Sequence, residues 1–528
     1  MKKLISLLLA AAMCSSIALS GCGSKNNSVQ EDTNAQVQET SVNEKVFVYP
    51  IEHDIPDLTP SYGEDSRTVV IRPLYDYLYI INNGETRYYL VDKMEESADG
   101  LNIKLHFNES AKWHDGEPVT VEDLLFTLKY LSEAATKTDT ELTKVDGEDI
   151  IYEKIDTYTV NITLPKNLSK FTTKLGRLML YPAHVYHNDP TAVEGSEESM
   201  LGIGNGPFKL EQWNKGENFV YVKNENYYRK PAKIDKLIMK IIPEDSAKEV
   251  AFQSGEISFM RLNNKEKYEK YAGNTNYNIY QTPECRVNYL QLNPMSEKIS
   301  SKEARQAIFH AINLDEIMDT VYGSEEMSKK GKTVFCDQNK YFVDMENYSY
   351  DLEKAQELAK KSGLNKVTLK YIYNNDRVGM PEVAVIIQQQ LKAAGIDVEL
   401  QAMDSSSFFS MFFAWASSEA TSEWDLGTNG WDSMQGDPST QIVSYAHNDT
   451  CMHCSEETVS TLDKAIYATT EKDKKENFEK FQKLIQDDYT VYPISCPNYV
   501  WVTQKGVTGL DTITSMIPFE DWTLIDVA

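Results

Sequence analysis

Residues capable of covalent chemistry occur along this chain, but no catalytic spacing brings them together. The eight histidines are scattered through 528 residues, and the nearest two are His184 and His187. No G-x-S-x-G elbow presents a nucleophilic serine, and no H-E-x-x-H holds a catalytic zinc. No G-x-x-x-x-G-K-[ST] loop cradles nucleotide phosphates, so any ATP-driven step belongs to another polypeptide. Cys451-Met-His453-Cys454 is a lone C-x-x-C, and zinc normally takes four ligands. A local disulfide or two ordinary thiols is the preferred reading, with no metal and no cofactor expected. The pattern is that of a protein that binds rather than converts.

The groups suited to binding are different ones. Gly430-Trp431-Asp432-Ser433-Met434-Gln435-Gly436-Asp437-Pro438 offers an aromatic face beside carboxylates. Trp431 could stack on a flat or apolar ligand face, or pack in a core. Asp437 before Pro438 is better read as a turn former. Arg67, close to Tyr62 and Ser66, could grip a carboxylate in bidentate fashion or lie solvated at the surface. Arg377 lies in the loop Asn374–Gly379, between a strand pattern and a helix pattern.

The chain must reach its place of work, and its start indicates how. Lys2-Lys3 precede an apolar run from Leu4 to Leu19, followed by Ser20-Gly21-Cys22. This reads as a secretory signal rather than a mature membrane span. It resembles a bacterial lipoprotein signal, which implies diacylglycerol modification of Cys22 and anchoring on the outer face of the cytoplasmic membrane. Residues 23–44 are Ser-, Asn-, Gln- and Glu-rich and are expected to form a disordered tether. The formal charge of −27 repels nucleic acid and anionic headgroups, which excludes both as partners.

The length exceeds what one hydrophobic core supports, so at least two lobes are expected. Lys45–Pro50 and Leu101–Phe107 alternate as strands. Thr120 caps a helix carrying Leu124, Leu125, Leu128 and Leu131 on one face. Three strands follow within 204–243, and a helix ends at Gly255. Farther along, Ser301 and Asp351 each open a helix. A strand at 367–373, a helix behind Pro381 and a strand at 396–400 make a βαβ unit, hence parallel sheet.

Four blocks in order are Trp113–Asp123, Gly204–Phe208 with Trp213, Glu303–Asp315, and Trp424–Gly427 with Gly430-Trp431 and Asp437-Pro438. Together they resemble the extracellular solute-binding proteins that include the oligopeptide-, dipeptide- and nickel-binding proteins. The resemblance implies an α/β, bilobed periplasmic-binding-protein-like fold with a large cleft and a discontinuous first lobe. It places 45–67, 200–283 and 497–528 in that lobe, 68–199 in an inserted subdomain, and 284–496 in the second lobe. It further implies a small solute, a peptide or similar, as guest, ABC permease and ATPase partners, and a monomer. An oligosaccharide, opine-like solute or metal chelate, or a sensor role without transport, are alternatives on the same scaffold.

The resemblance also sharpens the site. In peptide-binding relatives a carboxylate three residues after the block's tryptophan grips the peptide ammonium. Here Met434 stands there, and loss of a desolvated charge partner costs about 2–5 kcal/mol. Asp432 or Asp437, both close by, could substitute, or the guest lacks an ammonium group at that place. Trp431 is favoured for ligand contact, Tyr62 and Arg67 sit in a loop that approaches the cleft, and Arg377 matches an arginine that meets a peptide carboxylate. Trp113, Asp115 and Asp123 are expected to serve the fold.

Overall fold

The computed structural model describes residues 44–61, 65–82, 85–133, 140–168, 171–375, 377–412, 423–432, 453–510 and 521–528. The signal-like segment with Cys22, the tether up to Asn43, Tyr62, Met434, Asp437 and Cys451 lie outside these residues.

The strand Val46–Ile51 buries alternate side chains and pairs in parallel with Lys236–Ile241. Asn218–Lys223 and Phe208–Asn214 extend this sheet antiparallel. A second four-stranded sheet, in the order Val91–Glu96, Asn102–Phe107, Thr159–Thr163 and Ile151–Lys154, lies within the stretch expected as an insertion. The helix Val121–Glu133 follows the second of these strands, capped as its sequence demands: the Thr120 amide donates to Asp123 Oδ2 at 2.8 Å.

Two of the sequence blocks meet here. His114 Nδ1 accepts from the Gly204 amide at 3.1 Å, and Nε2 pairs with the Gly206 carbonyl at 3.1 Å. Burial holds this imidazole neutral, with its pKa lowered to about 4. Glycine is required opposite it, because a Cβ on Gly204 would lie 1.9 Å from the Leu74 carbonyl oxygen. Trp113 is buried, and Asp123 Oδ1 accepts from the Ala183 amide at 3.0 Å. These residues hold the fold.

Beyond residue 284 the helices Lys302–His310, Leu352–Ser362 and Met380–Ala393 pack around a second core with Leu369, Tyr371 and Leu426. Ser301 Oγ accepts from the Ala304 amide, and Asp351 Oδ1 from Lys354. The first of these helices ends at His310. The second stops at Gly363, whose φ of 84° lies in the left-handed region. Thr368–Asn374 and Asp397–Met403 pair in parallel around the third, forming the expected βαβ unit. The fold is α/β and bilobed, as its structural relatives below also show.

One strand ties the halves together. Val491–Gln504 pairs through residues 491–495 with Arg286–Leu292, and through 498–504 with Tyr277–Pro283. Its far end also pairs with Phe259–Arg261. The chain therefore passes between the halves along 283–286 and again near 496–498. Cys285, at φ 52°, turns the first passage sharply.

Candidate functional site

Where these passages run side by side they floor a cavity of about 410 Å³. The half containing the first sheet contributes Tyr49, Glu52, Lys248, Phe259 and Arg261 to its lining. The other half contributes Arg286, Asn288, Tyr322, Arg377 and Met380. Glu284, Pro497 and Asn498 come from the passages themselves.

Glu284 is only 4% exposed, and an isolated carboxylate at that depth would be costly. Two guanidiniums compensate it: Arg261 bonds Oε1, and Arg286 Nε lies 3.6 Å from Oε2. One arginine belongs to each half, so the carboxylate is a charged pin across the floor. The Glu284 amide also donates to the Pro497 carbonyl at 3.0 Å, joining the two passages.

Charges on the upper wall are likewise matched. Lys248 Nζ lies 3.0 Å from Glu52 and 3.4 Å from Asp245, and Lys267 lies 3.2 Å from Asp245. Burial opposes ionisation of Asp245, but Lys267 and Lys248 outweigh it and hold the carboxyl below its usual range. Aromatic rings complete the wall. Tyr49 meets Phe259 edge-on at 4.6 Å, Tyr499 stacks with Trp501 at 5.7 Å, and the Arg261 guanidinium lies 4.3 Å from the Tyr499 ring centre. On the opposite side Asn288 Nδ2 donates to Ser495 Oγ, which donates to the Tyr322 hydroxyl, both at 3.0 Å. An apolar wall with fixed polar groups suits a small organic guest.

The sequence-predicted residues fall differently. Arg377 lines the cavity, with its guanidinium 5.9 Å from the Phe409 ring centre. Among the described residues no carboxylate stands within ion-pair distance of it. Arg67 is 9% exposed and spent within its own loop. Its Nη2 donates to Asp57 Oδ1 at 2.6 Å and to Thr59 Oγ1 at 2.7 Å, and its Nε donates to Ser61 Oγ at 2.9 Å. In this geometry the local carboxylate of Asp57 occupies the guanidinium fork. Trp431 is 1% exposed and does not line the cavity. It stacks on Tyr289 with centroids 3.8 Å apart, and Nε1 donates to the Val334 carbonyl at 2.9 Å. Asp432 ends the strand Leu426–Asp432, in register with Arg286.

Glu284, Arg261, Arg286 and the Tyr499–Trp501 pair went unseen in the sequence. The one available signal was position: Glu284-Cys285-Arg286 begins directly at the expected change of lobe at 283/284. Among the described residues no group of three or more His, Cys, Asp or Glu side chains could hold a metal ion. No helix among them is long and apolar enough to cross a membrane.

The model of the bacterial extracellular solute-binding proteins, family 5, matches residues 85–451. The chain belongs to that family. It is 26% identical to the dipeptide-binding protein of Escherichia coli K12 over 354 residues, covering 62% of this chain and 65% of that protein. The match thus spans just under two thirds of that relative's length. The glutathione-binding protein GsiB of Pectobacterium atrosepticum is 23% identical, with 82% of this chain and 84% of that protein covered. Among solved structures, the ABC transporter substrate-binding protein CtaP from Listeria monocytogenes superposes with a TM-score of 0.82 at 24% identity, over 92% of this chain and 99% of that one. DppA from Helicobacter pylori, in complex with the peptide STSA, gives 0.76 at 22% identity, over 92% and 98%. For this family 5 chain, such likenesses establish the two-lobed fold.

Proposed function

We propose that this family 5 protein is the lipid-anchored, solute-capturing component of an ABC importer. It takes up a peptide or peptide-like solute by closing its halves about the two passages, and it presents the closed form to a membrane permease served by a separate ATPase. The observation that carries this reading is the cavity of about 410 Å³, walled from both halves and floored by the strands that join them. Closure around a guest is the natural motion of such a layout, provided the guest binds the closed state better than the open one. The protein works as a monomer, and no chemical step is required of it. Arg377 is assigned to the guest's carboxylate, since it faces the cavity without a carboxylate partner among the described residues. Tyr62, Asp432 and Met434 remain assigned to guest contact by family resemblance.

Thermal denaturation with panels of dipeptides to pentapeptides tests this directly. A guest present at a hundred times its Kd should stabilise the folded chain by about 2.7 kcal/mol. Peptides with an amidated carboxyl terminus should lose most of that stabilisation. Stabilisation by oligosaccharides or chelated metals with none by peptides would sink the peptide assignment.

Anchoring is tested separately. Cys22→Ser is expected to move the protein from the membrane fraction to the soluble fraction of fractionated cells, because the acyl chains supply the attachment. Retention of the variant in membranes would refute the lipid anchor.

A further inference from the structure

Away from the cavity floor, the halves touch at a second place. The loop after the strand Thr159–Thr163 reaches the turn between the helices Glu456–Ile466 and Glu471–Asp487. There Lys166 Nζ lies 3.5 Å from the centre of the Tyr467 ring. Two residues on, Leu168 packs against both the core of the first half and the core containing Phe478 and Phe481. The same segments enclose a polar cavity of about 230 Å³, lined by Glu96, Asn167 and Thr172 on one side and by Lys340, Thr470 and Lys474 on the other. None of these residues lines the larger cavity.

We infer that the contact of Lys166 and Leu168 with Tyr467 and its core is a latch, which sets the balance between closed and open forms in the absence of any guest. The inference rests on the closure reading above. The passages at 283–286 and 496–498 are covalent and survive any hinge rotation, whereas the 166–168 contact is made only of side-chain packing and a cation over a ring. In the proposed closure, the rotation that parts the walls of the larger cavity also breaks this contact, so its free energy falls on the closed state alone. The closed fraction enters apparent affinity directly, because a guest that binds only the closed form sees its intrinsic Kd divided by that fraction. The latch therefore tunes affinity and release from a place the guest never touches. Lys166 also pairs with Asp146 Oδ2 at 3.1 Å within its own half, and that pair is unaffected by rotation.

Spin labels at Glu109→Cys and Lys475→Cys report the separation of the halves. They are placed in the chain from Gly23 onward, which keeps the whole compact unit 44–528, with Cys451 and Cys454 changed to serine. Without guest the distance distribution should show closed and open populations. Lys166→Met keeps the aliphatic stem, lies at the surface, and should lower the closed-to-open ratio about two- to fivefold. Leu168→Ala should shift it in the same direction, and Asp146→Asn should leave it unchanged. A single distance, unmoved by a tryptic casein digest, would overturn hinge closure and the latch with it. A closed population that appears only with the digest would overturn the latch alone. So would a ratio that Lys166→Met and Leu168→Ala both leave unchanged.

Discussion

Glu284→Gln is expected to destabilise the folded protein by about 3 kcal/mol, measured by chemical denaturation. Glutamine keeps the shape of the side chain and removes its charge, so Arg261 and Arg286 lose the carboxylate they share on the cavity floor. Breaking a buried ion pair costs about 3–5 kcal/mol, because the surviving charge stays desolvated. The low end applies here: the Arg261 side chain is 36% exposed and water screens part of the repulsion, although Arg286 at 16% is more enclosed. Asp337→Asn provides the contrast. It removes the partner of Lys329, in a pair whose side chains are 34% and 45% exposed, and should cost less than about 1 kcal/mol. Equal effects of the two substitutions would show that Glu284 is no pin between the halves.

The same residue marks the boundary between what local sequence conveys and what it does not. Helix starts were legible because each cap is a contact over three residues: Ser301 with Ala304, Asp351 with Lys354, Thr120 with Asp123. The parallel pair at 368–374 and 397–403 was legible from alternation on either side of a Pro-led helix. The strand Val491–Gln504 was not. Its meaning lies in partners at 259–261, 277–283 and 286–292, more than 190 residues upstream, and nothing in its own pattern separates the segment that serves one half from the segment that serves the other. The cavity floor is the product of that pairing, so Glu284 and its two arginines were invisible until it was seen.

Arg67 illustrates a different limit. An arginine near an expected cleft reads as a ligand grip, but Asp57 lies ten residues before it and the loop folds back to join them. Burial opposes ionisation of Asp57, and the hydrogen bond from Arg67 overcomes it, leaving the carboxyl below its usual range. A satisfied buried pair and a poised binding group have the same composition. Only the path of the loop tells them apart: among the described residues the Arg377 loop brings no such carboxylate, and the guanidinium lies 5.9 Å from the Phe409 ring centre.

Trp431→Ala should cost about 3–5 kcal/mol of stability, the range for deleting a large aromatic side chain from a packed core. Three contacts are lost together: the face of Tyr289, the enclosing core that includes Val334 and Phe335, and the hydrogen bond to the Val334 carbonyl. Trp431→Phe separates them. It keeps a ring against Tyr289 and gives up the indole N–H, so it should cost about 1–3 kcal/mol for the unpaired carbonyl and the smaller ring. Denaturant titration of both variants, with calorimetry on whichever peptide stabilises the parent chain, distinguishes core from ligand contact. A core tryptophan predicts a large loss of stability, graded from Phe to Ala. A ligand-stacking tryptophan predicts parent-like stability with affinity lost, and that result would return Trp431 to the binding site.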